Sequence, residues 1–522
     1  MNQIGRHQIY TDAVEITYEN IIPILQKAIG EFAPCAADID YLIKFESGEN
    51  QEITRKKTFM PDINCQGIDN VAAEVCDFWK GFYWGSQIVL VQRGNHENEK
   101  DISDAIFALN DCYLMVNNGS KMQETGDFVE KGGVGYSYID INMDWQDGES
   151  YFTKAILDPR NAFLIKSSYY ADKRPMVGVS FRKDSNGVTH YTCFSKDKRF
   201  EIIHSQIQNG TAVTDKWGHE VRSGEENPLH IIPIVEWFKG YDYTGRFEKH
   251  LEGFENLNLM GSDLLNGIEQ NVMAFFWTND VEMPKEIIQN PDGTVTEKTK
   301  KVKTGEWLGT FTTPDGKTPI IKPLTVDYDN DGILNNYLAQ RQLLLEKCHV
   351  PTRADTSGGS TGIAMGDATG WSDAETVASA QELITNDCMM NEVRVVLRAI
   401  KESPFITEDN PLYKLRVCDI EPNMRRPKTY EISTRVNSAS ALIKTGFCLE
   451  DVLSAINVFP DASQVLTRSG EGVRKFQEAN VFNMETTEEI DVDKVSGDYA
   501  DQITNSPRID GRRVDNQPKN NE

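Results

Sequence analysis

From Leu251 to Pro284 the chain holds no lysine or arginine, and apolar or small residues recur every three or four positions: Leu251, Phe254, Leu257, Gly261, Leu264, Ile268, Val272 and Phe275. This spacing predicts one helix over 246–278 with an apolar stripe along one side. At 1.5 Å per residue, about 30 residues span roughly 45 Å. The polar side carries Glu252, Glu255, Asp263 and Glu269, and Asp280 and Glu282 follow the helix. An exposed helix normally mixes both signs there. A solvated acidic face is the plain reading of those carboxylates, and the stripe beside them needs a neighbour to bury it.

A second feature sits downstream. Residues 351–371 read PTRADTSGGSTGIAMGDATGW, with five glycines and one arginine. A predicted helix over 328–349 stops before Pro351, as the restriction on residues preceding proline requires. On the far side, Ser372 and Glu375 have the spacing of a capping box, which predicts a long helix through 372–403. The loop is therefore bounded at both ends. Structureless loops of this length in compact domains are uncommon and usually functional or disordered.

The remainder reads as mixed α+β. Residues 1–245 combine helical segments at 15–32 and 67–82 with strand-like runs such as SQIVLVQ, VGYSYIDI, NAFLIKSSYY and HIIPIVEWF, predicting an antiparallel sheet. SNG at 185–187 and QNG at 208–210 are turn chemistry. The 279–327 segment has PDG at 291–293 and 314–316 between β-prone runs, predicting two hairpins or a small sheet, and it gathers lysines that include Lys298, Lys300, Lys301 and Lys303. Residues 404–484 read as shorter helices, and 485–522 as a disordered polar tail.

The chain is long enough for several domains. Its 80 acidic and 54 basic residues give a net charge of −26, which repels nucleic acid and anionic membranes in general. Nine scattered cysteines with no C-x-x-C pair point to free thiols in a reducing compartment. The N-terminal residues lack an apolar signal segment and no apolar run is long enough to span a bilayer, so a cytoplasmic protein with no membrane partner is expected.

Catalytic motifs do not emerge. Gly316-Lys317-Thr318 ends like a phosphate loop, but Phe311 stands where the first glycine belongs. Gly132-Gly133-Val134-Gly135 is read as a helix-to-strand turn. Cys348 and His349 are chain neighbours and cannot face one another as a dyad. No enzyme activity, cofactor or metal is expected.

Several segments in order carry a family resemblance: IDYLIKFESGENQEITRK at 39–56, FWKGFYWGSQIVLVQR at 78–93, LDPRNAFLI at 157–165, HIIPIVEW at 230–237, GRFEKHLEGFENLNLMGSDLLNGIEQ at 245–270, and VPTRAD with STGIAM at 350–365. The chain resembles the portal proteins of tailed bacteriophages, in the group typical of long-tailed phages of Gram-positive bacteria. It departs from them around Gly48, where Phe45, Glu46 and Ser47 replace an aromatic and basic cluster.

The resemblance implies a multidomain α+β portal fold: a wing (1–245), stem helices (246–278 and 328–349), a β clip (279–327), a tunnel loop (350–371), a long wing helix (372–403), a helical crown (404–484) and the tail. It implies a ring of about twelve copies at one capsid vertex, passing double-stranded DNA. The implied partners are the terminase large subunit, which carries the ATPase, the major capsid and scaffolding proteins, and a head–tail adaptor. In the loop, Asp355, Gly358, Gly359, Ser360, Thr361, Gly362, Met365, Gly366 and Asp367 would face DNA. Asp263 and Glu269 would form an acidic stem wall, and Lys298, Lys300, Lys301 and Lys303 a docking surface. Such a ring would carry a formal charge on the order of −300, keeping DNA centred and unbound. A DNA-translocating ATPase or another ring of the head–tail junction are the alternatives.

Overall fold

The computed structural model describes residues 4–51, 53, 63–93, 99–169, 173–209, 225–272, 275–279, 285–289, 291, 294–299, 320–324, 329–351, 370–424 and 432–447, with a few positions between 449 and 472. The chain divides into two compact units, Met1–Tyr430 and Glu431–Glu522. The fold is mixed α+β, with helices packed on several small sheets.

In the first unit, α1 (Ile21–Ser47) buries Ile21, Leu25, Ala28, Phe32, Cys35, Ile39, Leu42 and Phe45, a helical repeat of threes and fours. It ends at Gly48, whose φ of 91° is left-handed and lets the turn bond back to Lys44 and Phe45. The N-terminal half of α1 covers a six-stranded sheet in the order β1 (Ile9–Thr11), β5 (Ala162–Ser167), β6 (Pro175–Lys183), β7 (Thr189–Phe194), β8 (Lys198–Ile203), β9 (Glu225–Glu226). All neighbours are antiparallel except β1 and β5, which run parallel. The predicted turn at 185–187 is present: Asp184 accepts from the N–H groups of Asn186 and Val188, and Gly187 takes φ 79°. At the other predicted turn, Gln208 and Asn209 belong instead to the short helix α5 (His204–Asn209), and Gly210 lies outside the described residues.

A second sheet orders β10 (Ile234–Phe238), β3 (Val134–Ile141), β4 (Phe152–Leu157). Helix α4 (Asn118–Gly132) feeds it through Gly133, at φ 81°, where a Cβ would fall 2.2 Å from the Tyr243 carbonyl oxygen. That is the turn read from Gly132-Gly133. The main core joins α2 (Val71–Phe82), α3 (Glu99–Met115), α4 and α8 (Trp371–Lys401) with β2 (Ile88–Gln92), β3 and β15 (Ile420–Met424).

Three expectations need correction. The helix predicted through 278 ends at Val272 as α6 (Leu251–Val272). Phe275–Asn279 is strand β11, paired with β14 (Ile320–Leu324), because a run of aromatic and β-branched residues finds a strand partner. The long helix starts at Trp371 with Gly370 at its N-cap; Ser372 is already inside the helix and no side-chain cap bond forms. Residues 404–424, expected to be helical, contain the short α9 (Pro411–Lys414) and then β15, which pairs with β2 in the core of the first unit. Ile420, Pro422 and Met424 are buried in alternation, the period of a strand.

The hairpin predicted around 291–293 is present as β12 (Lys285–Gln289) and β13 (Val295–Thr299). The second turn, at 314–316, and the Gly316–Thr318 stretch lie outside the described residues, as does the 485–522 tail. In the second unit α10 (Ile432–Lys444) closes at Gly446, φ 93°, whose N–H bonds to the Ile443 carbonyl.

Candidate nucleic-acid interface

Two helices returning on one another dominate the candidate site. Helix α7 (Asn330–Lys347), capped by Asp329 on the Gly332 N–H, runs back along α6. Two glycines of α6 make room for α7. A Cβ on Gly253 would lie 2.5 Å from Leu344 Cδ2, and one on Gly261 would lie 3.2 Å from Tyr337 Cε2. The order 253, 261 against 344, 337 gives an antiparallel pair with close backbones. The apolar stripe is buried only near its root, at Phe254 and Leu257; Leu265 and Ile268 on α6, and Leu334, Leu338 and Leu343 on α7, are exposed in the single chain.

The residues preceding α2 form an extended strap along α6. Asn266 accepts from the Cys65 N–H at 2.6 Å and donates to the Cys65 carbonyl at 3.2 Å. Ser262 does the same to Gly67, at 3.0 and 3.1 Å. Asn258 accepts from the Asp69 N–H at 2.9 Å and donates to Gln51. The geometry explains the match: four residues of helix rise about 6.0 Å, and two residues of extended chain about 6.6 Å. Side chains at i, i+4 and i+8 of a helix thus read alternate backbone groups of a strand. The strap continues to α7, where Asp69 accepts from Tyr337 and Arg341, and Arg341 also pairs with Glu74.

Buried carboxylates anchor the root of α6. Glu248 pairs with Arg6 and accepts from the N–H groups of Gly5 and Gly245, each at 2.7 Å. Glu130 accepts from Arg246 at 2.7 Å and from Trp84 at 3.0 Å. Burial alone would raise the Glu130 pKa, but Arg246 outweighs it and holds the carboxyl below its ordinary value. The Arg246 guanidinium lies 3.7 Å from the centre of the Trp79 ring.

Helix α2 grips both ends of the glycine-rich loop. Trp79 donates to the Cys348 carbonyl at 3.0 Å, just past α7. Trp371, which opens α8, packs edge-on against Phe78 and Phe82 at 5.9 and 5.7 Å. His349 Nδ1 meets Asp373 Oδ2 at 2.6 Å, and a Cβ on Gly370 would lie 3.7 Å from Pro351 Cα. The loop therefore leaves and re-enters the fold at one place. Three aromatic residues of the FWKGFYWG run, Phe78, Trp79 and Phe82, make this anchoring, through contacts with residues far along the chain that no local motif signals.

The loop positions Asp355, Gly358, Gly359, Ser360, Thr361, Gly362, Met365, Gly366 and Asp367 lie outside the described residues, as do Lys300, Lys301 and Lys303. Lys298 stands opposite Glu286 in the β12–β13 register. Asp263 and Glu269 are both half-buried on α6. Six residues apart on a helix, they sit about 120° from each other around its axis, so they do not share one face. Cys348 does not face His349 as a nucleophile; burial pushes its thiol up to about 12. Among the described residues no cluster of His, Cys, Asp or Glu is arranged to hold a metal ion, and no helix is long and apolar enough to cross a membrane.

No protein-family model matches the chain, and no curated protein matches it. Among solved structures it is similar to a chain described as "Neck of empty GTA particle computed with C6 symmetry", at 9% identity and a TM-score of 0.38, covering 78% of this chain and 96% of that one. At that overlap the likeness assigns neither fold nor function.

Proposed function

We propose that this chain is a portal protein of a tailed phage, one subunit of a closed ring of about twelve copies through which double-stranded DNA is packaged and ejected. The observation that carries the reading is the antiparallel α6–α7 pair, with the apolar side chains of Leu265, Ile268, Leu334 and Leu338 in the open, leading directly into a glycine-rich loop clamped at its base. A ring gives those side chains a neighbour and brings the loops together around an axis. The ordered sequence resemblance supports the same reading. In this role the chain has no catalytic step of its own. The terminase, capsid, scaffolding and adaptor proteins are its partners, and the lysines around β13 are the docking surface for acidic partner segments.

The test is electron microscopy of the purified full-length chain, joined to an ATPase assay. Closed rings of about twelve subunits with a hole wide enough for a roughly 20 Å duplex, and no ATP turnover, are the expected result. A monomer or two-fold dimer at micromolar concentration in every buffer would remove the ring. Turnover that copurifies with the chain and disappears in Lys317→Ala would move it to the translocating ATPases.

A further inference from the structure

Strand β4 alternates buried and exposed residues, and Lys154 falls on its buried face beside Phe152. Its side chain and that of Glu392, on α8, are both 0% exposed and pair at 2.7 Å. Lys154 Nζ also donates to Asn118 Oδ1 at 2.8 Å and lies 3.6 Å from Met122 Sδ. Asn118 opens α4 and is itself buried. The carboxylate is fixed from its far side: Trp237 donates to Ser137 Oγ at 3.0 Å, and Ser137 donates to Glu392 Oε2 at 2.7 Å. The Trp237 ring centre lies 5.6 Å from Nζ. One amine, one primary amide and one carboxylate thus meet inside the main core, and filling that space does not require them, since an apolar set of the same volume is often as stable as a buried ion pair.

The amine stands at the amide carbon. With a C=O bond of about 1.2 Å, a hydrogen bond of 2.8 Å to Oδ1 leaves Nζ about 3–4 Å from Cγ, close to attack distance. We propose that Lys154 and Asn118 join in an intramolecular isopeptide bond, with Glu392 carrying the protons. Lys154 gives one proton to Glu392 and becomes a neutral amine. Its lone pair forms the Nζ–Cγ bond, and the carbonyl electrons move onto Oδ1. Glu392 passes its proton to Nδ2, the Cγ–Nδ2 bond breaks, and ammonia leaves as the carbonyl re-forms. Nζ then returns its second proton to Glu392 and keeps one as the new amide N–H. Nothing is oxidised or reduced. Burial lowers the Lys154 pKa, against the attraction of Glu392, and so favours the nucleophilic amine. The bond ties the start of α4 to β4 across 36 residues of chain, whatever assembly the chain enters.

The experiment is the intact mass of the purified, denatured full-length chain, followed by a protease map. The expected mass is below the sequence mass by one ammonia, and a branched peptide joins the segments that hold Asn118 and Lys154. Glu392→Gln, shown to be folded by its thermal transition, keeps the amine and the amide but lacks the proton carrier, and is expected at full mass with two linear peptides. Linkage in that variant to the parental extent overturns the role of Glu392. A parental chain at full mass, with Asn118 and Lys154 in separate peptides, overturns the whole proposal. The parental map decides this by itself, so a variant that fails to fold leaves the test intact. Asn118 precedes Gly119, and a cyclic imide closed by the Gly119 nitrogen would also release ammonia. That product gives a linear peptide and persists in Lys154→Met, and finding it in place of the branched peptide likewise overturns the proposal.

Discussion

At the scale of single residues, two kinds of side-chain accommodation can be separated by experiment. A Cβ on Gly126 would fall 2.3 Å from Trp84 Cγ. Trp84 is buried and donates to Glu130, so its ring has nowhere to go. A Cβ on Gly253 would meet the end of Leu344, a flexible side chain at 2.5 Å. Gly126→Ala is therefore expected to cost about 2–3 kcal/mol by overpacking, and Gly253→Ala less; urea midpoints in the reverse order would contradict the reading of α6–α7 as the more yielding contact. Lys239 supplies a pH test. It donates to the Thr244 carbonyl, and burial together with nearby Arg246 pushes its ammonium down to about 8. The unfolded lysine titrates near about 10.4. Between these values the unfolded state binds more protons, so this group makes stability rise with pH through that window. From pH 8 to 10 the parental chain should gain stability relative to Lys239→Met; a flat difference would mean that the ammonium is not perturbed.

At the scale of elements, the strap on α6 is held by backbone groups, so its own side chains matter less than those of the helix. Ser262→Ala combined with Asn266→Ala removes both acceptors of the Cys65 and Gly67 N–H groups. Each lost bond is worth about 1 kcal/mol, because water replaces part of it. Amide exchange at Cys65 and Gly67 is expected to accelerate while the core amides of α1 keep their protection. Unchanged exchange at those two amides would show that the ladder does not hold the strap. The loop base uses a different device. A hydrogen bond from Trp79 to the Cys348 carbonyl holds one end and the packing of Trp371 on Phe78 and Phe82 the other, with His349–Asp373 as an exposed pair that adds little.

At the scale of the whole molecule, the proposed conduit makes assembly and DNA transit separable. Gly358→Pro with Gly359→Pro restricts the loop backbone, and Thr361→Lys adds a cation in every subunit. Both variants leave α2, α7 and α8 untouched, so rings are expected to form. Heads assembled with either should contain little DNA, and the lysine variant should recover partly at high salt, where phosphate pairing is screened. Parental DNA content in both variants would place the loop away from the duplex, and failure to form rings would make it an assembly element.

Local physics was legible in the chain alone. Periodicity located α2, α7, α8 and the first part of α1, whose second half it missed, Pro351 marked the stop after α7, the Gly132-Gly133 pair marked the turn into β3, and the glycine-rich loop stood out by length between two helices. Each of these depends on residues a few positions apart. What the tertiary structure decided depends on partners far along the chain. Phe275 left the helical stripe because β14 offered a strand, Ile420–Met424 became a strand because β2 offered an edge, and α8 began at Trp371, packed against Phe78 and Phe82. Asn258, Ser262 and Asn266 read as ordinary polar positions on α6 until the strap's alternate backbone groups lay beside them. A hydrophobic period is written in neighbouring residues, whereas the partner of a backbone hydrogen bond is chosen only when the chain has folded.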